Sequence, residues 1–276
     1  MTEDNNQPVL RFENVSVHYD DVAALDGITF EMRRGETRVV LGAAGSGKTV
    51  LLKTAVGLVR ADSGRVLAFG RDITAMKEGE LFDVRAKIGF LFQEGGLFDS
   101  LTIDENVSYP LVNQRGRAQL ETPEAIETRV RETLRFVELE QTLDQYPSEL
   151  SGGMRRRVGI ARAVVTEPEL VLYDSPTAGL DPITANTIIA LIVKERDTRN
   201  AAAMMATHRY QDGQLMANFR YNPHSGALER ASSNGSGDNG LKTIFMVMQE
   251  GRLAFEGTEN ELKASSDSYV SKFVKR

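Results

Sequence analysis

Short apolar runs alternate along this chain with longer stretches in which apolar residues recur at helical spacing, the signatures of buried strands and of helices. Val9 to Val17 alternates in part, and Ile28 to Met32 follows a Leu25-Asp26-Gly27 turn, so two strands are expected near the N-terminus. Thr37 to Leu41 reads as a buried strand, and Thr49 to Val59 is apolar enough for a buried helix. A turn over Arg60 to Gly64 leads to a short strand at Arg65 to Phe69, and Lys87 to Phe92 forms another that ends at Gln93. Glu94 to Leu111 is Gly-bearing and loop-rich in pattern but carries Leu97, Phe98, Leu101, Ile103, Tyr109 and Leu111, which suits either a docking surface or the core of a helical subdomain.

Thr122 and Pro123 supply an N-cap and a first-turn proline for an amphipathic helix with Ile126, Val130, Leu134 and Val137 on one face. Ser151, in Leu150-Ser151-Gly152-Gly153-Met154, can cap a second helix that runs to about Val165. Glu169 to Tyr173 is a buried strand delivering Asp174 at its C-terminal end, Asp181-Pro182 opens a helix to about Arg199, and Ala201 to Ala206 is a strand ending at Thr207-His208. This alternation predicts a mostly parallel sheet covered by helices on both faces. Pro223 to Gly240, rich in Ser, Gly, Asn and Asp, reads as a mobile loop. Thr243 to Met248 and Arg252 to Phe255 form a hairpin around Gln249-Glu250-Gly251, and a helical tail with Leu262, Tyr269, Val270 and Phe273 follows.

Composition narrows the chemistry. The 276 residues contain no cysteine, which excludes disulfides, thiolate zinc sites and a cysteine nucleophile, and His18, His208 and His224 are not at metal-ligand spacing. A net charge of −6 argues against a general nucleic-acid surface, and Arg155 to Arg157 fits a solvated or salt-bridged helix face better than a nucleic-acid patch. No stretch is long and apolar enough to span a membrane, and the polar leader does not resemble a signal peptide, so a cytoplasmic protein is expected.

Gly42-Ala43-Ala44-Gly45-Ser46-Gly47-Lys48-Thr49 matches the phosphate-loop pattern G-x-x-x-x-G-K-[ST] at every fixed position, between a predicted strand and a predicted helix. The glycines let backbone N–H groups face an oxyanion and the helix N-terminus adds positive potential, with Lys48 suited to the β- and γ-phosphates and Thr49 to Mg²⁺. Tyr19, between the first two strands, either packs on the sheet or stacks on a nucleotide base.

Taken in order, Gly42 to Thr49, Gln93, Leu150 to Met154, the strand ending in Asp174, Ala178 to Asp181 and His208 resemble the nucleotide-binding subunit of an ATP-binding cassette transporter. Within that family, Phe92 to Leu111, Leu150 to Val158 and Gly179 to Ala185 most resemble the ATPases of MCE-type lipid transport systems, which include the bacterial phospholipid-asymmetry pathway. The resemblance implies an α/β P-loop NTPase fold: a single ABC ATPase domain with a mostly parallel sheet, an N-terminal antiparallel β subdomain and an inserted helical subdomain. The core would take about 8–93 and 165–258, the helical subdomain about 94–164, the flexible loop 223–240 and the helical tail 259–276.

By matched position, the resemblance implies that Tyr19 stacks on adenine and that Gly42, Ala43, Ala44, Gly45, Ser46, Gly47 and Lys48 hold the phosphates of ATP. Thr49, Gln93 and Asp174 would surround Mg²⁺, and His208 would contact the γ-phosphate. Ser151, Gly152, Gly153 and Asp181 would act in trans on the nucleotide of a second copy, so the partners implied are that copy, a transmembrane permease and a lipid-binding MCE-type protein, with no nucleic acid. The place implied is the cytoplasmic face of the inner membrane.

One position departs from the family pattern. Where the family has glutamate directly after the aspartate, this chain has Ser175, which offers no carboxylate to polarise water. General-base assistance is typically worth about 10² to 10⁴ in rate, so slow hydrolysis is expected unless Glu94, Asp181 or His208 compensates. The alternative readings are therefore a low-turnover, nucleotide-gated interaction subunit and an ATPase of a polar-solute transporter. A cassette protein acting on nucleic acid or ribosomes fits least, because those usually carry two cassettes in one chain.

Overall fold

The computed structural model describes residues 7–113, 122–231 and 242–274. Strands β1 (Leu10–Tyr19) and β2 (Val22–Met32) form an antiparallel hairpin that reverses at Asp20-Asp21, where Asp20 takes φ 52°. Short hairpin turns need positive φ, and aspartate tolerates it. The expected turn at Leu25-Asp26-Gly27 is instead internal to β2. Gly27, at φ 65°, donates its N–H to Ser16 Oγ (3.0 Å) where the register shifts, so its left-handed backbone makes a bulge in the strand rather than a reversal.

Strand β3 (Thr37–Gly42), wholly buried, leads through the glycine loop into helix α1 (Lys48–Ala55). Then come β4 (Ser63–Ala68), β5 (Arg71–Asp72), helix α2 (Glu78–Arg85) and β6 (Ile88–Leu91). Helix α2, which the sequence pattern does not signal, buries only Leu81 and Val84. Strands in the order β2-β1-β4-β5 make an antiparallel sheet.

Helices α3 (Ile103–Asn113), α4 (Pro123–Phe136) and α5 (Gly152–Val164) pack together beside the main sheet. The segment before α3 is pinned by one buried side chain. Asn106 donates through Nδ2 to the carbonyls of Phe98 (3.0 Å), Leu101 (3.1 Å) and Thr102 (3.0 Å), while its Oδ1 accepts from Phe98 N (2.8 Å). Thr122 Oγ1 caps α4 by accepting from Ala125 N (3.3 Å), as its sequence position predicts.

Strand β7 (Leu170–Asp174), helix α6 (Pro182–Arg199), strand β8 (Ala202–Thr207) and helix α7 (Tyr210–Asn218) follow. Next are β9 (Phe219–Asn222), β10 (Ala227–Arg230), β11 (Thr243–Gln249), β12 (Arg252–Gly257), α8 (Glu259–Ala264) and α9 (Ser271–Val274). The first part of the expected mobile loop, 223–240, is ordered structure: β10 pairs with β9 from Ala227↔Asn222 to Arg230↔Phe219. Gly226 turns that hairpin at φ 69°, and the Asn222 side chain accepts from His224 N (2.9 Å) and donates to Glu229 Oε1 (2.8 Å). Asn222, Ser225 and Gly226 are turn chemistry rather than a linker composition. Residues 232–240 lie outside the described residues.

The main sheet runs β12-β11-β3-β8-β7-β6, parallel except for β12. Its residues alternate between two cores. Val39, Leu41, Tyr173, Met205 and Phe245 face the layer that includes Ile160, Ile188 and Ile192 of α5 and α6. Val40, Leu172, Met204 and Met246 face Leu51 and Leu52 of α1 and Phe12 and Phe30 of the antiparallel sheet. Burial on both faces is why these strands read as continuous apolar runs. The carboxyl ends of β3, β7 and β8 lie side by side, the edge where open α/β sheets bind ligands.

Candidate functional site

The glycine loop crosses that edge. Gly47 precedes α1 at φ 100°, and a Cβ there would lie 2.3 Å from Ala24 O, so only glycine fits. A Cβ at Gly42 would lie 2.3 Å from Ser46 Oγ and 2.8 Å from Met248 O. No side chain caps α1, which leaves its first-turn N–H groups for a ligand. Lys48 folds back over the loop, its Nζ donating to Gly42 O (2.8 Å), Ala43 O (2.7 Å) and Ser46 Oγ (3.3 Å). Burial lowers the pKa of its ammonium and the charge of Asp174 acts in the opposite direction. A cation held only by carbonyls and a hydroxyl is poised for an anionic ligand.

Thr49 Oγ1 donates to Asp174 Oδ1 at 3.1 Å, across the gap between α1 and the end of β7. Asp174 is only 2% exposed. Ser175 follows at φ 50°, its N–H bound to Ala206 O (2.9 Å) and its Oγ donating weakly to Asp174 Oδ1 (3.4 Å). Gln93 heads a tight turn after β6 in which Glu94 takes φ 63°. One cleft of about 800 Å³ is lined by Tyr19, the loop from Gly42 to Thr49, Gln93, Ser175, Ala178 and His208, and Asp174 meets it through its bond to Thr49 rather than by lining it. Tyr19 is half exposed, open to a planar ligand. The hydroxyl of Thr49, the carboxylate of Asp174 and the amide oxygen of Gln93 are hard oxygen donors, a set that suits Mg²⁺.

Ser151, Gly152, Gly153 and Asp181 do not line that cleft. Gly152 faces a second one, of about 440 Å³, with Gln93, Glu94, Arg155, Arg156 and Ala178 to Leu180. Ser151 Oγ caps α5 by accepting from Met154 N (3.2 Å). Asp181 caps α6, accepting from Ile183 N and Thr184 N (both 3.0 Å) and from Thr184 Oγ1 (2.5 Å), and these bonds, led by the Thr184 hydroxyl, lower its pKa. A Cβ on Gly153 would meet Thr184 Cγ2 at 2.6 Å, so this glycine lets the starts of α5 and α6 pack closely.

Three residues the sequence does not assign to the site, Tyr269, Lys272 and Phe273, also line the main cleft. Tyr269 Oη accepts from Ala43 N (3.4 Å) and donates to Met248 O (3.1 Å), and its ring meets Phe273 edge-on at 5.4 Å. The helical spacing of Tyr269 and Phe273 marks them as apolar partners, but no local signal says that they reach the glycine loop.

A profile of the ABC transporter family matches residues 25–178. The chain belongs to that family. This cassette is 39% identical over 206 residues to a methionine import ATP-binding protein of Rhizobium johnstonii, covering 75% of this chain and 56% of that protein. It is 29% identical over 271 residues to an intermembrane phospholipid transport ATP-binding protein of Haemophilus influenzae, covering 98% and 91% respectively. Against a sulfate/thiosulfate import ATP-binding protein of Shewanella oneidensis it is 32% identical over 266 residues, covering 96% of this chain and 66% of that one. The cassette thus spans little more than half of the methionine-import relative. Among solved structures, it resembles a dimeric ATP-binding cassette bound to ADP and phosphate, with a TM-score of 0.74, 26% identity, and coverage of 90% of this chain and 98% of that one. An ABC transporter component of Clostridium perfringens superposes with a TM-score of 0.75 at 28% identity, covering 98% and 93%. Among the described residues, no helix of the cassette is long and apolar enough to cross a membrane.

Proposed function

We propose that this cassette is the ATP-binding and hydrolysing subunit of an ABC transporter that moves phospholipid or another lipid across the cell envelope. The convergence of Lys48, Thr49, Gln93 and His208 on one cleft, with Asp174 hydrogen-bonded to Thr49, carries the ATPase reading. In it, Lys48 and the loop N–H groups orient the phosphates of ATP, and Tyr19 stacks on the base. Thr49, Gln93 and Asp174 hold Mg²⁺, which when bound neutralises phosphate charge. His208 contacts the γ-phosphate, and the Ser175 hydroxyl is available to a water near it. Ser151, Gly152, Gly153 and Asp181 serve the nucleotide of a second copy, consistent with their absence from the cassette's own cleft. Closure around two nucleotides and reopening after hydrolysis then drive a permease.

The lipid assignment is supported by the phospholipid-transport relative, which is matched over 98% of this chain and 91% of its own length. The partners in this reading are a second copy, a transmembrane permease and a lipid-binding MCE-type protein, at the cytoplasmic face of the inner membrane. A second reading, a polar-solute importer, is favoured by the higher identity to methionine-import proteins. Purifying the intact complex from membranes and identifying its subunits and bound molecule separates the two. An MCE-type subunit with phospholipid is the expected result, and a solute-binding protein with a polar solute overturns the lipid assignment.

A further inference from the structure

The segment after β7 carries Ser175 and leads to Asp181, yet it has no regular structure of its own between the end of that strand and the start of α6. Two buried charged side chains, from two different helices, hold it. From α5, Arg156 donates through Nη1 to Ser175 O (3.1 Å) and through Nη2 to Ala178 O (3.2 Å). Arg156 is 3% exposed and forms no ion pair among the described residues. Burial lowers its pKa, opposed by the more distant charges of Glu94 and Asp174. A buried guanidinium satisfied mainly by carbonyls is expensive compared with an apolar side chain of similar size, so packing alone does not explain it.

From α7, Asp212 reaches the same segment. It is 0% exposed, and its Oδ2 accepts from Thr177 Oγ1 (2.5 Å) and Thr207 Oγ1 (2.8 Å), while Arg209 Nε lies 3.4 Å from its Oδ1. Thr207 Oγ1 also accepts from Arg209 N (3.1 Å). His208 is therefore flanked by two residues tied to the carboxylate that also holds Thr177.

We infer that Arg156 and Asp212 are positioning residues for ATP hydrolysis, fixing the Ser175 to Ala178 segment between the Ser-Gly-Gly helix and the His208 turn. Arg156 ties the Ser175 side of one nucleotide site to the helix whose N-terminus faces the other site in the proposed dimer. Asp212 sets the spacing between Ser175 and His208. Neither lines the main cleft, and Arg156, which borders the second cleft, has its guanidinium bound to the Ser175 and Ala178 carbonyls, so Arg156 acts through the backbone and Asp212 through the threonine hydroxyls.

This inference rests on the proposed placing of Ser175 and His208 at the hydrolysis site, and the test separates the two claims. In the assembled complex, kcat and KM for ATP, affinity for a fluorescent ATP analogue and melting temperature are measured for Thr177→Val, Thr177→Ser, Arg156→Lys, Asp212→Asn and His208→Ala. Thr177→Val keeps the volume of the side chain and removes one hydroxyl, so it tests the clamp even if Asp212→Asn fails to fold. Expected are losses in kcat of about ten- to a hundredfold for Thr177→Val and Arg156→Lys, the scale of a small misplacement of reacting groups, with KM and nucleotide affinity changed by less than about threefold. Thr177→Ser should recover kcat to within about threefold of the original, because the hydroxyl returns. Full turnover in both Thr177→Val and Arg156→Lys overturns the inference, as does a loss in which the serine variant is no better than valine. If His208→Ala loses turnover while the clamp variants keep theirs, the clamp alone falls. If His208→Ala turns over normally, the site assignment and the inference fall together.

Discussion

Ser175 directly follows Asp174, at the position where the family pattern has glutamate. It occupies a left-handed backbone position with its Oγ at 3.4 Å from Asp174 Oδ1, and among the described residues no glutamate or aspartate lines the main cleft. If a missing base limits the chemistry, Ser175→Glu should raise the single-turnover rate by up to about a hundredfold with little change in ATP affinity. An unchanged rate would mean that another group activates water or that dimer opening limits turnover. Glu195, on α6, is buried with Arg199 Nε 3.3 Å from its Oε2, neither of its carboxylate oxygens accepts a hydrogen bond among the described residues, and burial pushes its pKa from the ordinary 4.5 to about 7 against the pull of Arg199. The folded state therefore keeps a proton that the unfolded chain releases, so stability contributed at low pH is lost as pH rises from about 4.5 to about 7. Glu195→Gln should stabilise by up to about 3 kcal/mol at about pH 8 and change little near pH 4.5. Urea unfolding at both values checks this, and an equal destabilisation at the two would show an ionised, Arg199-paired Glu195.

Among the elements, the segment leading into α3 joins a surface groove to the cleft. Phe98 is 42% exposed, its ring 4.8 Å from Tyr109, and together with Phe90, Phe92 and Arg162 the two line a groove of about 330 Å³. Arg162 lies over the Phe98 ring at 5.3 Å and donates to Gly95 O (3.0 Å) and Gly96 O (2.6 Å), in the turn that begins at Gln93. A permease helix seated in this groove would press on the turn that carries Gln93. Phe98→Asp and Leu101→Asp should weaken assembly with the permease, read by copurification, while sparing ATP binding; unfolding of both variants would assign the segment to the core instead. The tail makes a second connection. Tyr269→Phe removes the hydroxyl that joins Ala43 N to Met248 O, so amide exchange over residues 266–274 should speed up. Unchanged protection would show that the Tyr269–Phe273 ring contact alone holds the tail.

For the whole molecule, the separation of the two groups of motif residues makes a geometric prediction. A mixed dimer of one Lys48→Ala chain and one Gly153→Arg chain retains one intact composite site if sites form in trans. A dimer of one doubly substituted chain and one unchanged chain retains none. Both dimers carry the same substitutions, so hydrolysis well above background in the first alone is the expected result. The reverse pattern would place Gly152 and Gly153 on the cassette's own nucleotide.

What the sequence determined by itself are the features made within a few residues. The glycine loop is one, since it is eight consecutive residues in which Gly45 and Gly47 take positive φ, even though the carbonyl that a Cβ on Gly47 would strike belongs to distant Ala24; the caps at Thr122, Ser151 and Asp181 are others, each bonding two or three residues ahead. The strand ending in Asp174 was also legible, because burial on both faces leaves a continuous apolar run. Only the tertiary structure decided that Gly27 makes a bulge while Asp20-Asp21 turns, that residues 227–230 pair as a strand, and that Tyr269 walls the cleft. Asp212 meets Thr177 across 35 positions and Tyr269 meets Ala43 across 226. Contacts of that reach follow from the order in which β3, β8 and β7 lie in the sheet, and pairing between distant strands leaves no periodicity in the sequence from which to read it.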